Sequence, residues 1–316
     1  MTPDYSAALA AAAIFDTSAA GKLILAGPDA PMFLGNLSTN DIKNLPLGGG
    51  CEAYFCDARA KVQFAAWIDH VLLMNEHALW VETTAGRNDA LAKYLDRYLI
   101  SERVEISDRT TDFLQFHLAG PGAKAALDRA LGETLPELPE FAHLQRDLGQ
   151  IRRRDLLGVP GYDIVCIAKP NLDAVDGTPE TFETLRIEAG TPLFGPDIDE
   201  SRFVMEVGRA TRAVSYSKGC YLGQEPIVMA RDRAGHVNRA FLGLKALDGA
   251  PPAPGTKLFR DGQEVGVVTS SCHSPRLGIP VALGYLRWKH QDPGLKLETE
   301  SRQVFEVVGP SPLVPA

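Results

Sequence analysis

One short segment of the chain brings together residue types that packing alone does not require: Lys218-Gly219-Cys220-Tyr221-Leu222-Gly223-Gln224-Glu225. Glycines at this spacing allow positive φ angles and a close approach of the backbone to another segment or a ligand. A thiol two residues after an ammonium group can be held as the thiolate, which is the nucleophilic form. Most free cysteines are instead small, buried apolar residues. The segment therefore predicts either a reactive Cys220, with Lys218 favouring its thiolate, or a packed turn.

The composition is that of a mildly acidic chain long enough for two or three domains. The 316 residues are 45% apolar, which suffices for substantial cores, and the net charge is −8. This charge argues against a general nucleic-acid surface, so we expect no direct nucleic-acid partner. Arg152-Arg153-Arg154 is a local exception, which we interpret as a solvated face.

The cysteines and the N-terminal residues bear on location. Five cysteines are odd in number and form no Cys-x-x-Cys pair, which is typical of a reduced compartment and predicts no metal site. The segment from Asp4 to Phe15 lacks the positive residues of a secretory signal or a transit peptide. No window approaches the length of a membrane span. We expect a cytoplasmic protein without a membrane partner.

A strand-to-helix junction occurs twice along the chain. Residues 23–34 pass through Ala26-Gly27-Pro28, and residues 116–127 pass through Ala119-Gly120-Pro121. Glycine followed by proline favours such a junction. The elements predicted after the first junction are strands at 62–68, 71–74 and 79–83 and a helix at 87–99; those after the second are strands at 144–147, 151–155 and 163–167 and a helix near 179–189. This order predicts an α+β fold of duplicated ferredoxin-like modules with mostly antiparallel sheets.

The C-terminal quarter of the chain is typical of a β-barrel. Strand signals begin at 239–245, and the composition changes at Pro251-Pro252-Ala253-Pro254-Gly255. Asp261-Gly262 is a hairpin signal between two further strands. We place a core domain at residues 1–236, with modules of about 1–110 and 111–236, and a C-terminal antiparallel β-barrel domain at 237–316.

The segment from Lys218 to Glu225, with Pro226-Ile227-Val228 and Arg231, resembles the signature of YgfZ-type folate-binding proteins of the glycine-cleavage T-protein (aminomethyltransferase) superfamily. Cys56-Asp57-Ala58-Arg59-Ala60-Lys61 is similar to a segment of these relatives, which usually carry Gly at the position of Ala60. Arg186-Ile187-Glu188-Ala189-Gly190 resembles the Arg-x-Glu-x-Gly segment of the superfamily. The similarity runs from about Gly21 to Val308. It implies two related α+β portions and a barrel-like domain around a central cavity.

The resemblance implies tetrahydrofolate, or a derivative, as the cofactor. A pterin ring presents donors that a carboxylate can accept, and the glutamate tail of folate matches arginine forks. For Arg186 and Glu188, an ion pair that positions the helix end is an equal alternative. The predicted cofactor-binding residues are Gly219, Tyr221, Gly223, Gln224, Glu225, Arg231, Arg186, Glu188, Asp197 and Arg239.

One departure from the superfamily concerns catalysis. The aminomethyltransferases use an Asp-Asp pair shortly after a Gly-Gly turn, and this chain has Phe64-Ala65 at those positions. Neither side chain can accept a proton or orient an amine. The chain is therefore not expected to be a classical aminomethyltransferase.

The resemblance implies a role in iron–sulfur cluster assembly or repair, with an influence on tRNA thiomodification. Cys220 is the implied reactive residue, and iron–sulfur client or assembly proteins are the implied transient partners. A folate-dependent one-carbon transferase and a non-enzymatic folate-sensing scaffold remain as alternatives. Gln224 and Glu225 have a second interpretation as a helix start, although Pro226 predicts that such a helix would be short.

Overall fold

The computed structural model describes residues 1–247, 249–310 and 312–314, apart from the side chains of residues 233 and 234. The elements before the barrel are α1 (Pro3–Ala10), β1 (Ala13–Asp16), β2 (Gly21–Ala26), α2 (Ala30–Leu37), β3 (Gly50–Cys56), β4 (Val62–Leu73), β5 (Glu76–Thr83), α3 (Asn88–Asp96), β6 (Glu105–Asp108), β7 (Leu114–Ala119), α4 (Ala123–Leu131), β8 (His143–Arg146), β9 (Gly149–Arg153), β10 (Gly161–Cys166), β11 (Val175–Asp176), α5 (Pro179–Ala189), α6 (Ala210–Ala213) and α7 (Gln224–Met229). No helix among the described residues has the length and apolar character needed to cross a membrane.

The first sheet has the strand order β3-β4-β5-β2-β6 and is antiparallel throughout. Alternate residues of its strands, among them Leu23, Leu25 and Val81, pack on one face with residues of α2 and α3. The predicted strands 62–68 and 71–74 form a single strand, β4, because the pairing with β5 continues without a break from Ala66 to Leu73. Four of the strands and the two helices form the predicted ferredoxin-like unit, to which β3 adds an edge strand.

The second sheet has the order β11-β1-β7-β10-β9-β8 and includes a strand from the chain's N-terminus. β1 pairs with β7 along its whole length, with Ile14 opposite Leu118. The predicted division near residue 110 therefore does not separate the two sheets completely. β11, which follows β10 in the chain, has two residues and pairs only with the outer edge of β1. The N-terminal strand thus occupies the place that a strand after α5 would take in a simple repeat.

The C-terminal elements form a closed barrel, which confirms the predicted fold class. Its strands are β12 (Arg239–Ala246), β13 (Lys257–Arg260), β14 (Gln263–Ser274), β15 (Ile279–Arg287), β16 (Lys296–Glu298) and β17 (Val304–Gly309), in the order β12-β15-β14-β13-β16-β17. Asp261 and Gly262 form the predicted two-residue turn, with φ angles of +51° and +76°. Closure pairs both edges of every strand except at local irregularities.

The two sheets of the core face each other through charged side chains. Arg152 and Arg154 are 0% and 1% exposed, so the expectation of a solvated arginine face was wrong. Arg154 donates to Glu82 at 2.7 Å, to Asp163 at 3.0 Å and to Asp69 at 3.0 Å. Three carboxylates of both sheets thus share one guanidinium. The period of two residues along β9 turns Arg152 and Arg154 inward and Arg153 outward, a distinction that the triplet itself does not reveal.

Candidate active-site loop

The loop that follows α6 is anchored by Lys218. Its ammonium donates to the backbone carbonyls of Gly35, Ser38 and Asn40, at and just beyond the C-terminal end of α2. Carbonyls at a helix C-terminus favour a cation. Burial lowers the pKa of Lys218 to about 8, and its ammonium lies 4.6 Å from the centre of the Tyr221 ring.

This anchoring gives Lys218 a structural role that the sequence did not predict. No hydrogen bond or ion pair joins it to Cys220 among the described residues, and its ammonium lies near Asp41 and the thiols of Cys51 and Cys56. Lys218 therefore fixes the loop to the core.

Gly223 lies directly against the segment that begins at Cys56. Its φ angle is +84°, and a Cβ atom there would lie 2.6 Å from the Asp57 carbonyl oxygen and 2.7 Å from the Cys56 sulfur. The Cys56 thiol donates to the carbonyl of Leu222 at 3.1 Å. Ala60 in the same segment has a φ of +57°, which suits the glycine that relatives usually carry. The segments 56–61 and 218–225, which both resemble segments of YgfZ-type proteins, are thus packed on each other.

Cys220 is the exposed cysteine of this chain. Cys51, Cys56 and Cys166 are buried and Cys272 is half-buried. Burial raises the pKa of the Cys56 and Cys272 thiols to about 12, so both stay protonated at neutral pH. Cys220 is neither sealed in aliphatic packing nor bound to a described partner, whereas its neighbour Tyr221 is buried.

An arginine and a tyrosine flank the loop on its exposed side. The Arg231 guanidinium lies 4.4 Å from the centre of the Tyr216 ring and is held by Asp232. The Tyr216 hydroxyl donates to the Met205 sulfur at 3.4 Å. This contact connects the exposed side of the loop with the segment that precedes α6.

That segment carries polar groups whose hydrogen bonding is incomplete. The Arg202 guanidinium stacks 3.9 Å from the centre of the Tyr285 ring of β15, and the Tyr285 hydroxyl and the Arg202 Nε are buried without a hydrogen-bond partner among the described residues. The Glu206 carboxylate accepts one long bond, from the Phe203 amide at 3.4 Å. A cation, a carboxylate and a phenol therefore adjoin one another at the junction of core and barrel.

Arg186 and Asp197 do not support the ligand-binding role predicted for them. The five N–H donors of Arg186 are occupied by Glu183, Thr191, Asp197 and Ser270. Asp197 accepts two further bonds from the β14 hydroxyls and one from the Leu193 amide. The hydrogen-bonding capacity of the Arg186 guanidinium and the Asp197 carboxylate is therefore fully used. These bonds connect α5 to the barrel and leave no donor or acceptor for a cofactor.

Glu188 is occupied in the same way. Its carboxylate accepts from Tyr5 at 2.9 Å, from Arg276 at 3.0 and 3.1 Å and from Ser274. Glu188 is completely buried and ties α1 and α5 to the barrel. Arg186 and Glu188 are therefore ion-paired structural residues, but their partners are Glu183, Asp197 and Arg276, and the described residues show no ion pair between the two themselves.

The remaining predicted residues lie at the surface or in the loop. Glu225 is exposed and Gln224 is half-buried at the start of α7, and Gly219 faces open space. Arg239 is exposed on the first barrel strand. Gln224 and Glu225 begin α7, which has six residues, and Pro226 lies in its first turn, where its missing N–H would have no intrahelical partner. The helix continues through a π-helical turn at Ala230–Ala234.

The positions of the missing acidic pair lie on opposite faces of β4. Phe64 packs with Tyr94 on the helix-covered face, with ring centres 5.4 Å apart. Ala65 shares the inter-sheet face with Trp67 and Asp69. Only position 65 could present a side chain toward the second sheet, and alanine offers no proton acceptor there.

Comparison with known proteins supports the same class of fold. A model described as the GCVT N-terminal domain matches residues 2–154, and one described as the glycine cleavage T-protein C-terminal barrel domain matches residues 239–310. The glycine cleavage system aminomethyltransferase T from Bartonella henselae superposes with a TM-score of 0.86 at 23% identity, over 98% of this chain and 88% of that one. The class is thus an α+β core with a T-protein C-terminal barrel.

Curated relatives extend over nearly the whole chain. The aminomethyltransferase of Clostridium botulinum (strain Okra / Type B1) is 26% identical over 92% of this chain and 82% of its own length. That of Nostoc sp. (strain PCC 7120 / SAG 25.82 / UTEX 2576) is 26% identical over 96% and 84%. The chain belongs to the glycine cleavage T-protein superfamily.

Arg202, Glu206 and Tyr285 are not among the candidate site residues predicted from the sequence. Arg202 and Tyr285 are far apart in the chain, and their contact arises from the docking of the barrel on the core. No local spacing encodes that docking. The available signal was chemical only: an arginine and a glutamate in one turn just before the Cys220 loop.

Proposed function

We propose that the chain is a tetrahydrofolate-binding member of the T-protein superfamily that supports iron–sulfur cluster assembly or repair through the Cys220 thiol. The observation that carries the proposal is the exposure of Cys220 on a loop whose neighbours fix it to the core: Lys218, Leu222 and Gly223. An accessible thiol can meet the disulfide or persulfide of another protein, which the buried thiols of this chain cannot do.

The chemistry available to Cys220 is thiol exchange. Its thiolate can attack one sulfur of a client disulfide or persulfide, form a new S–S bond and release the other sulfur as a thiolate or hydrosulfide, with no net oxidation. This accounts for a supporting role in sulfur chemistry without a resident metal. The partners under this proposal are cytoplasmic iron–sulfur client or assembly proteins, and effects on tRNA thiomodification follow through such clients.

Several residues near the loop fit a folate better than Arg186, Glu188 and Asp197, because the hydrogen-bonding groups of those three residues are already occupied. The buried Tyr285 hydroxyl and the Arg202 Nε have no hydrogen-bond partner among the described residues, although Arg202 Nε lies 3.9 Å from a carboxylate oxygen of Asp199, and Glu206 has capacity to accept from a pterin amine. Arg231 lies on the same side, through Tyr216 and Met205, where it suits the glutamate tail. Tetrahydrofolate, when bound, would supply the chemistry of a reduced pterin. We do not propose Glu188, Asp197 and Arg186 as folate contacts.

The second candidate is the aminomethyl transfer named for the curated relatives. Overall similarity favours it, whereas Ala65 removes the carboxylate that would act on the folate amine. Assay of the chain for tetrahydrofolate-dependent aminomethyl transfer separates the two: we expect no turnover, and turnover at a rate typical of enzymes would establish the transferase.

Folate binding is tested by anaerobic isothermal titration with tetrahydrofolate. We expect saturable binding and a loss of affinity of about tenfold or more in Arg202→Ala and in Arg231→Ala, because a hydrogen bond to a charged group contributes about 1.5–3 kcal/mol. Arg97→Ala, an exposed arginine at the end of α3, is the matched control and should leave affinity unchanged. Absence of binding heat at millimolar ligand would refute the folate claim; unchanged affinity in both variants would refute the pocket.

A further inference from the structure

We call two neighbouring groups of residues the aromatic-basic patch. Tyr216 and Arg231 lie beside Tyr221 of the Cys220 loop, and a few residues further along the chain His236 contacts Trp288 and Arg239 lies opposite Arg287 at the start of the barrel. Trp288 is 46% exposed, and its ring centre lies 4.3 Å from that of His236, so the indole is held in place while remaining accessible. Tyr216 is 39% exposed and stacked by Arg231. The patch therefore presents two half-exposed aromatic rings in fixed orientations.

Arg231 is paired with Asp232, whereas two other arginines of the patch have no ion pair within the described part of the chain. Arg239 and Arg287 are directly opposite each other on β12 and β15, and both are exposed. Like charges at opposed positions destabilise a sheet. Neither arginine forms an ion pair with a described residue, and Glu264, whose carboxylate lies near enough to feel both, is bound to Lys257 at 2.9 Å. In a chain of net charge −8, this is a positive site kept at a local cost in stability.

We propose that the aromatic-basic patch docks an acidic, aromatic-bearing segment of a protein partner and brings it to Cys220. The inference rests on the proposed function in taking that partner to be the iron–sulfur client. Tryptophan, tyrosine and arginine are the residue types that supply most of the binding energy at protein interfaces. Unpaired guanidinium forks match carboxylates, and the fixed rings lose little entropy on binding.

Two other occupants fit the patch less well. A nucleic acid would require several phosphates to be neutralised, and the two unpaired arginines of the patch in a chain of net charge −8 do not supply that. Addition of a partner's strand requires a free sheet edge, and the barrel is closed. The occupant that fits best is therefore an acidic surface of a protein partner, recognised by the side chains of the patch.

The test uses the full chain, a short synthetic peptide of glutamate, glycine and phenylalanine, and the fluorescence of Trp288, which is far more exposed than the buried Trp80. We expect saturable quenching that weakens with added salt and is lost when glutamine replaces the glutamates. The double variant Arg239→Glu/Arg287→Glu should bind at least about tenfold more weakly, as expected when like charges face each other across an interface.

The matched control is Lys43→Glu/Arg97→Glu, which makes the same change in net charge at exposed positions outside the patch and should bind the peptide as the parent does. Trp288→Ala, followed by peptide anisotropy, tests the aromatic contribution separately. Equal losses in both double variants, no binding by the parent, or tighter binding of an oligonucleotide of equal charge would each overturn the proposal. The assay needs neither folate nor Cys220, so its failure is distinct from failure of the proposed function.

Discussion

Replacement of Arg154 by alanine is expected to lower the free energy of unfolding by about 3–5 kcal/mol, the usual cost of removing one partner from a buried ion pair. Arg154 is 1% exposed and donates to Glu82, Asp163 and Asp69. Without it, Asp69 and Glu82 share Arg152, and Asp163 keeps its hydrogen bond with His117 at 2.7 Å. The core would then hold negative charge that water cannot reach.

Arg153→Ala is the matched control for this experiment. Arg153 belongs to the same triplet but points away from the space between the sheets, where it pairs with the half-exposed Asp155 and stacks on the Tyr162 ring. Its loss removes a partly exposed ion pair and one cation–π contact and should cost about 1–2 kcal/mol, well below the cost of losing Arg154. Urea denaturation followed by circular dichroism measures both variants. A loss below 1 kcal/mol in Arg154→Ala would show that the inter-sheet network does not stabilise the core.

The second large effect is expected from Gly223→Ala. The residue has a φ of +84°, and the new Cβ would contact the Asp57 carbonyl oxygen and the Cys56 sulfur at distances that atoms do not adopt. Left-handed strain and overpacking each cost about 1–3 kcal/mol, so we expect a loss of about 3 kcal/mol and displacement of the Cys220 loop.

Gly219→Ala provides the control four residues earlier in the same loop. A Cβ at Gly219 meets no atom within 4 Å, and the change should stay within about 0.5 kcal/mol. Urea unfolding gives the stability of both variants, and the rate of Cys220 alkylation reports the loop position. Equal stability and equal alkylation rates in the two variants would contradict the packing of the loop on Cys56.

The fold was largely predictable because its signals are local. The Gly-Pro junctions before α2 and α4, the Asp261-Gly262 turn and the alternation of the barrel strands each specify structure within a few residues. The pairing of β1 with β7 was not predictable, since it joins segments about one hundred positions apart. The inward turn of Arg152 and Arg154 also depends on which face of β9 meets the other sheet, and a run of three arginines does not specify that face.

The candidate site was predictable in its loop and not in its surroundings. The crowded residues at 218–225 marked the exposed cysteine, but the carbonyls that bind Lys218 have no sequence signature because any residue supplies them. Arg186 and Glu188, which stand out in the sequence, form hydrogen bonds that connect the core to the barrel. The groups with unused hydrogen-bonding capacity, Arg202 and Tyr285, meet only after the barrel docks.

The role of Cys220 is tested most directly by restoring iron–sulfur enzyme activity in cells that lack the protein. Cys220→Ala should fold normally, because its side chain is exposed, and should fail to restore the activity. Cys272→Ala, at a half-buried cysteine of the barrel, should restore it as the parent chain does. Full restoration by Cys220→Ala would contradict the thiol mechanism and leave the folate-sensing scaffold as the better description.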